Sequence, residues 1–347
     1  MSDTSLARLH RAPGLVPISL MIAGMFVLPH VLDGFHLYLV SLAVATAVAA
    51  MGLNLLWGYA GILSIGHSGF VAMGAYVPVI AMDRWDWPFL PAVGLAIFAG
   101  VVLAVLLAVP GGRLGGLGLG LVTFGMAYAV DALLRGNYLL DYTNGQSGLF
   151  VPTSSVLGID LKGDTTMWYV AAGIFVLASL ATNMLVNSGM GREIQAMRAN
   201  VHLATAFGVR TRRVSAMIFV IAGIYGILSG VLLAQIVRFV APDVAPASLS
   251  IELLAMVLVG GGGTLLGPLF GAVFFILLPE FVHWARDNSG VVFASALMLT
   301  LIFAPSGFMG VLDRVRLAVQ QTPIFSKSFG DITRRRRKTD IPPAAVE

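Results

Sequence analysis

The chain is 347 residues long, 58% hydrophobic and only 11% charged, with a mean hydropathy of +0.89. Soluble domains carry roughly 25% charged residues, so an aqueous globular fold is excluded and an all-α polytopic membrane protein is expected. The net charge of +4 sits in loops and tails, where it reports topology rather than nucleic-acid binding. With no cysteine, disulfides and thiolate metal sites are also excluded. A β-barrel would show segments of about ten residues in strict alternation, and runs such as AVGLAIFAGVVLAVLLAV at 92–109 do not alternate.

Residues 1–12 are polar, with Arg8 and Arg11 close to a first apolar run at about 14–32. That run exceeds a signal-peptide core of roughly 7–15 residues and lacks a small-x-small cleavage site. It reads as a retained span with the N-terminus in the cytoplasm. A second span follows at about 37–57. The next segment, 58–82, is interrupted by glycines and by Ser64, His67 and Ser68. Asp83 to Trp87 form a short exit loop whose tryptophans suit a membrane interface.

Further spans are expected at about 88–110 and 114–134, joined by a tight turn at Arg113, and at 166–187 and 214–237. Residues 135–165 form the longest internal polar loop and are rich in turn formers. After residue 238 the apolar stretch 251–259 is too short for an upright span. Gly260 to Gly263 break it, and the run resumes at 265–281. A last span at 291–304 precedes a basic tail containing RRRRK at 334–338, which reads as disordered. Cations favour the cytoplasmic side. Placing the N-terminus, Arg113, the 189–213 stretch and the tail there gives about ten membrane helices, one short or broken pair among them, with both termini inside.

The stretch 189–213, GMGREIQAMRANVHLATAFGVRTRR, is a polar, basic island in this apolar chain. Read as one helix, it gathers Ile194, Met197, Val201, Ala204 and Phe207 on one face, with charges mostly on the others. Such a helix lies outside the hydrocarbon, resting on lipid headgroups or plugging into a partner.

Inside the membrane, Ser64, His67 and Ser68 stand at i, i+3 and i+4 and would share one helical face. A hydroxyl–imidazole–hydroxyl patch there either hydrogen-bonds a zwitterionic solute or ties the helix to its neighbours. No acid is placed to orient the imidazole and no second ligand stands at a metal-binding spacing, so neither a Ser–His nucleophile nor a metal site is expected. Asn54 needs partners for its amide, and Asp131 pairs naturally with Arg135 one helical turn on. Pro268 marks the opening of a helix after the glycine break. No G-x-x-x-x-G-K-[ST] loop occurs, so any ATP chemistry has to come from another chain and no cofactor is expected.

The pattern G-R-E-x-x-A-x-R-x-N…A-x-x-x-G in the island resembles the coupling loop by which permeases of ATP-binding cassette (ABC) importers engage their ATPases, in the form found in branched-chain amino-acid permeases of the LivM type. Three more stretches follow the same family in order: LNLLWGYAGILSIGHSGFVAMGAY at 53–76, LVTFGMAYAVDALL…TNGQSGL at 121–149, and SIELLAMVLVGGGGTLLGPLFGAVFFILLPE at 250–280, with FAPSGFMG at 303–310 completing the end. His202-Leu203-Ala204 stands where importers in general carry E-A-A, so only Ala204 and Gly208 match that wider signature.

The resemblance implies a type II-like permease domain over 1–312, with a cytoplasmic coupling helix at about 190–209, and a basic tail over 313–347. It implies ATPase coupling through Arg192, Glu193, Arg198, Asn200, Ala204 and Gly208. It further implies a substrate path near Asn54, Ser64, His67, Ser68, Thr123, Asn144 and Gln146. The expected partners are two cytoplasmic ATPases, a sister permease, an external solute-binding protein and membrane lipid, in a bacterial-type inner membrane. Branched-chain amino acids are the commonest cargo of the family, and relatives carry urea or short amides. An ion-coupled secondary transporter is the competing class; it would bury coupling carboxylates at mid-membrane, whereas the acidic residues here sit at span ends.

Overall fold

The computed structural model describes residues 15–111, 116–152, 155–156, 159–161, 163–281 and isolated positions between 291 and 310. Arg8, Arg11, Arg113, most of the 291–304 span and the 313–347 tail lie outside the described residues. The apolar runs form helices because hydrocarbon offers backbone groups no partner outside the segment itself. α1 (Leu15–Val31) and α2 (Gly34–Leu53) are separated by Asp33, whose carboxylate accepts the His36 amide and caps α2. The exposed Asp33 carboxyl also bonds the His36 ring, which holds it below the usual carboxylate range. α2 continues into a π-helical turn at Asn54–Tyr59.

Residues 61–66 leave helical structure before α3 (His67–Trp85), and α4 (Phe89–Gly111) and α5 (Gly116–Arg135) follow. The polar loop holds the one-turn α6 (Leu140–Thr143) and three two-residue strands, β1 (Leu149–Phe150), β2 (Ser155–Val156) and β3 (Ile159–Asp160). Beyond it come α7 (Asp164–Asn187), α8 (Gly189–Ala199), α9 (Val201–Ala206), α10 (Thr211–Val237), β4 (Phe239–Val240), α11 (Leu249–Gly260) and α12 (Gly267–Phe281). α12 opens at Gly267-Pro268, as the proline implies.

Six stretches among the described residues are long and apolar enough to cross a membrane: Gly34–Tyr59, Phe89–Ala108, Gly116–Arg135, Asp164–Asn187, Thr211–Val237 and Pro242–Gly260. α3 has the length, at 19 residues, but His67 and Ser68 at its start and Asp83 and Arg84 at its end dilute its apolar content.

α2 lies at the centre, with 83% of its span buried, and α10 packs along it; α4 and α5, at 28%, face outward. The outward faces carry large apolar side chains such as Phe98, Leu106, Leu117 and Leu121, which suits lipid. The inward face of α2 is built from small residues, AVATAVAAMG at 43–52, so neighbouring helices approach closely. α3 and α10 cross at an even shorter range. A Cβ on Gly74 would lie 2.1 Å from the Ile227 carbonyl oxygen, and one on Gly230 would lie 2.0 Å from that of Val71.

Polar contacts distinguish the two ends of the bundle. At one end Arg84 Nη2 donates to Asn144 Oδ1 (3.1 Å), and Arg135 pairs with Asp131 and Asp243, both at 3.0 Å. Arg238 faces Asp164 at 3.7 Å, and β1 pairs antiparallel with β4, which stitches the long loop to the segment after α10. The local Asp131–Arg135 pair is the one expected from sequence; Asp243 joins it from 108 residues away. α8, α9, the π-helical turn and the turn between α11 and α12 lie together at the other end.

Gly74→Ala and Gly230→Ala should each lower stability by about 1–3 kcal/mol through forced separation of α3 and α10. Gly94→Ala, where nothing lies within 4 Å, should be silent. Thermal unfolding in detergent measures all three.

Candidate functional site

The island does not form a single helix. Ser188 caps α8 by accepting the Gly191 amide (3.4 Å), and α8 stops at Ala199. Asn200 then turns extended, with φ −164° and ψ 114°, and its Oδ1 accepts the amides of His202 (2.9 Å) and Leu203 (3.1 Å) to start α9. One asparagine thus ends one helix and caps the next. Gly208, at φ +86°, closes α9 in the left-handed region that a side chain would strain.

This break corrects the expected apolar face. Ile194, Met197 and Ala204 are buried, but Val201 and Phe207 are exposed, as is Leu203, with Phe207 at 87%. A continuous helix would have stacked them all together; the bend at Asn200 turns part of the stripe outward. Of the expected coupling residues, Arg192 and Glu193 are exposed, Asn200 and Gly208 shape the bend and Ala204 packs inward. Beside α9, Gly189, Met190, Glu193, Gly208, Arg210 and Arg213 line an open depression.

Arg198 is exposed as well, but it is bonded to the core. Its Nη1 donates to the Gly58 carbonyl in the π-helical turn after α2, a contact the local pattern gave no reason to expect. That turn is itself locked to the turn between α11 and α12. Asn54, fully buried, donates through Nδ2 to the Thr264 carbonyl (2.8 Å) and accepts the Gly263 amide at Oδ1 (2.8 Å). Gly58 admits this approach: a Cβ there would fall 2.0 Å from Asn54 Oδ1 and 2.4 Å from Gly263 N. Thr264 completes the turn by donating to the Gly261 carbonyl (2.7 Å) and accepting the Gly267 amide (3.1 Å).

The intramembrane polar residues are distributed differently from the expectation. Ser64 lies in the non-helical stretch 61–66, so it does not share a helical face with His67 and Ser68, which begin α3. All three are buried. Thr123 on α5 accepts the Ile65 amide (3.0 Å) and so holds the non-helical stretch from the side. Ser68 is met by Ser250 of α11, whose Oγ accepts the Ser68 amide (2.9 Å) and donates to the Ser68 hydroxyl (2.8 Å).

The His67 ring lodges between α2 and α10. A Cβ on Gly52 would fall 2.7 Å from its Nε2, and one on Gly226 would fall 3.2 Å from it. Neither ring nitrogen finds a hydrogen-bond partner among the described residues; the Ala49 backbone lies beside the ring but off the geometry of a bond.

The seven expected path residues therefore do not converge. Asn54 sits at the clamp near the island, while Ser64, His67, Ser68 and Thr123 surround the break before α3. Asn144 and Gln146 are exposed at the far end, Asn144 against Arg84. Sequence reading missed Ser250 and Thr264, each more than 180 residues from its partner, and no local signal marks either.

A helical bundle with a bent basic island, a π-helical break after α2 and a glycine turn before α12 is thus the geometry to be matched. The family model described as "Branched-chain amino acid transport system / permease component" matches residues 35–302. The chain belongs to this family. The permease is 26% identical over 289 residues to the high-affinity branched-chain amino acid transport system permease protein LivM of Escherichia coli K12, covering 76% of this chain and 67% of that protein. It is 24% identical over 289 residues to LivH of the same strain, covering 78% and 93%, and 21% identical over 281 residues to BraD of Pseudomonas aeruginosa, covering 76% and 91%. No solved structure matches it. As a LivM/LivH-type permease it is a multi-pass helical inner-membrane protein, and the matched region holds α2 to α12 with the clamp and the island.

In this permease Asn54→Leu should destabilise the bundle, because it strands the Gly263 amide and the Thr264 carbonyl at roughly 1–3 kcal/mol each. Ser250→Ala should cost less, since it strands one backbone group, the Ser68 amide, rather than two. Thermal unfolding of the two variants in detergent orders them.

Proposed function

We propose that this chain is the transmembrane permease subunit of an ABC importer for branched-chain amino acids or related small polar solutes, driven by ATPases on separate chains. The observation that carries the reading is the island. An apolar knob of Val201, Leu203 and Phe207 stands exposed at one end of a membrane bundle, with Arg192 and Glu193 exposed on the preceding α8. Exposed Phe and Leu at a bundle's polar end gain nothing from water, and they suit a groove in a partner protein. The chain's lack of a phosphate-binding glycine loop supports a separate source of ATP chemistry. The names of the relatives support the amino-acid cargo.

On this reading the island end faces the cytoplasm, as do both termini, and the chain crosses the membrane in ten helices. It pairs with a sister permease, and two ATPases dock, one on the α8–α9 unit of each permease. An external solute-binding protein delivers cargo to the far end, where Asn144 and Gln146 lie exposed. ATPase closure moves the islands together and switches the bundle between outward- and inward-facing states. The polar break at 61–68, with Thr123 and Ser250 around it, lies on the solute path and is sealed here by packing.

Phe207→Asp and Leu203→Asp should weaken ATPase association about tenfold or more while leaving the chain inserted. Co-purification and ATP-dependent uptake in proteoliposomes measure this. Uptake that proceeds without the ATPases would refute the assignment. For the path, His67→Leu should change the uptake KM, whereas an unchanged KM with lowered stability would assign His67 to packing alone.

A further inference from the structure

We infer that Arg198 is a positioning residue: it tethers the island to the two broken segments of the membrane core and so converts movement of α8 into movement of the gate. The inference rests on the importer reading above and adds a route to it.

The backbone bonds that close the π-helical turn run from Ala60 to the Leu55 carbonyl, from Gly61 to Trp57 and from Ile62 to Leu56. The Gly58 carbonyl is left over, and the Arg198 guanidinium takes it across 140 residues of sequence. A charged donor makes a stronger bond to a carbonyl than a neutral amide does. The stem of the same side chain lies against Gly61, where a Cβ would fall 3.2 Å from Arg198 Cγ and where the backbone turns to φ +70°. A Cβ at Gly263 would fall 3.3 Å from Arg198 Nη1. One side chain therefore touches the start of the non-helical stretch 61–66 and the turn between α11 and α12.

Asn54, at the start of the π-helical turn that leads into this stretch, bonds that turn to the turn between α11 and α12, so the two move as a unit. From Gly61 only the non-helical residues to Gly66 separate this point from His67 and Ser68, and Ser68 is bonded to Ser250 at the start of α11. A shift of α8 is thus delivered to both ends of α11 and to the break before α3. By contrast Val201, Leu203 and Phe207 are exposed, which divides docking from transmission.

The test uses the whole transporter in proteoliposomes, with bound ATPase, ATP hydrolysed and solute taken up measured in each variant. Arg198→Gln is expected to keep its ATPases and hydrolyse ATP while uptake per ATP falls about tenfold. Arg198→Lys, which still offers a cation to the carbonyl, should retain more coupling. Because the chain has no cysteine, Arg198→Cys gives a single thiol. With cysteine-free partner subunits, aminoethyl methanethiosulfonate should raise its uptake per ATP, and the neutral methyl reagent should not. That comparison is made on one already folded protein. Loss of the ATPases from Arg198→Gln would make Arg198 a docking residue and overturn the tether, as would unchanged uptake per ATP or equal rescue by both reagents. Wild-type uptake without ATPases would instead sink the importer reading itself.

Discussion

The two hydrogen bonds of Asn54 are the constraint on which the rest of this permease depends. A membrane interior supplies no water to an unpaired backbone group, so a broken helix persists only where protein replaces the missing partners. The described chain is broken after α2 and between α11 and α12, and these two breaks are held against one another by a single buried amide. Gly58 and Gly263 let the backbones come near enough for that amide to reach both. The α11–α12 hairpin then packs on α2, and α3 starts from a point fixed by Thr123 and Ser250.

Around this centre the bundle follows the ordinary economy of membrane helices. Small residues face inward along α2 and at the α3–α10 crossing, and large apolar ones face outward on α4 and α5. Among the described residues, ion pairs gather at the end opposite the island, where Arg135 serves two carboxylates and β1 pairs with β4. Surface ion pairs of this kind contribute only about 0–1 kcal/mol each, so their main consequence is to align loops that are far apart in sequence.

The island has two faces. Asn200 interrupts what would otherwise be one amphipathic helix, and the interruption turns Val201, Leu203 and Phe207 outward while Ile194, Met197 and Ala204 stay packed. Arg198, two residues before the bend, reaches to the Gly58 carbonyl. A continuous helix would have presented one apolar stripe to the bundle and left no exposed apolar knob.

Chain composition alone determined the class, and apolar run length placed the helices at 34–59, 89–108, 116–135, 164–187 and 211–237 to within a few residues. A bilayer imposes both requirements on any segment that crosses it, whatever its neighbours. The Asp131–Arg135 pair and the opening of α12 at Pro268 were legible for the same reason, since each depends on residues within one helical turn. The partners of Asn54, the separation of Ser64 from His67, the Ser68–Ser250 pair and the Arg198–Gly58 bond were not. Each joins segments far apart in the chain or depends on where a helix breaks, and local periodicity carries no record of which distant backbone group will be left without a partner. Only the packed bundle decided those, because only there do the leftover carbonyls and amides meet.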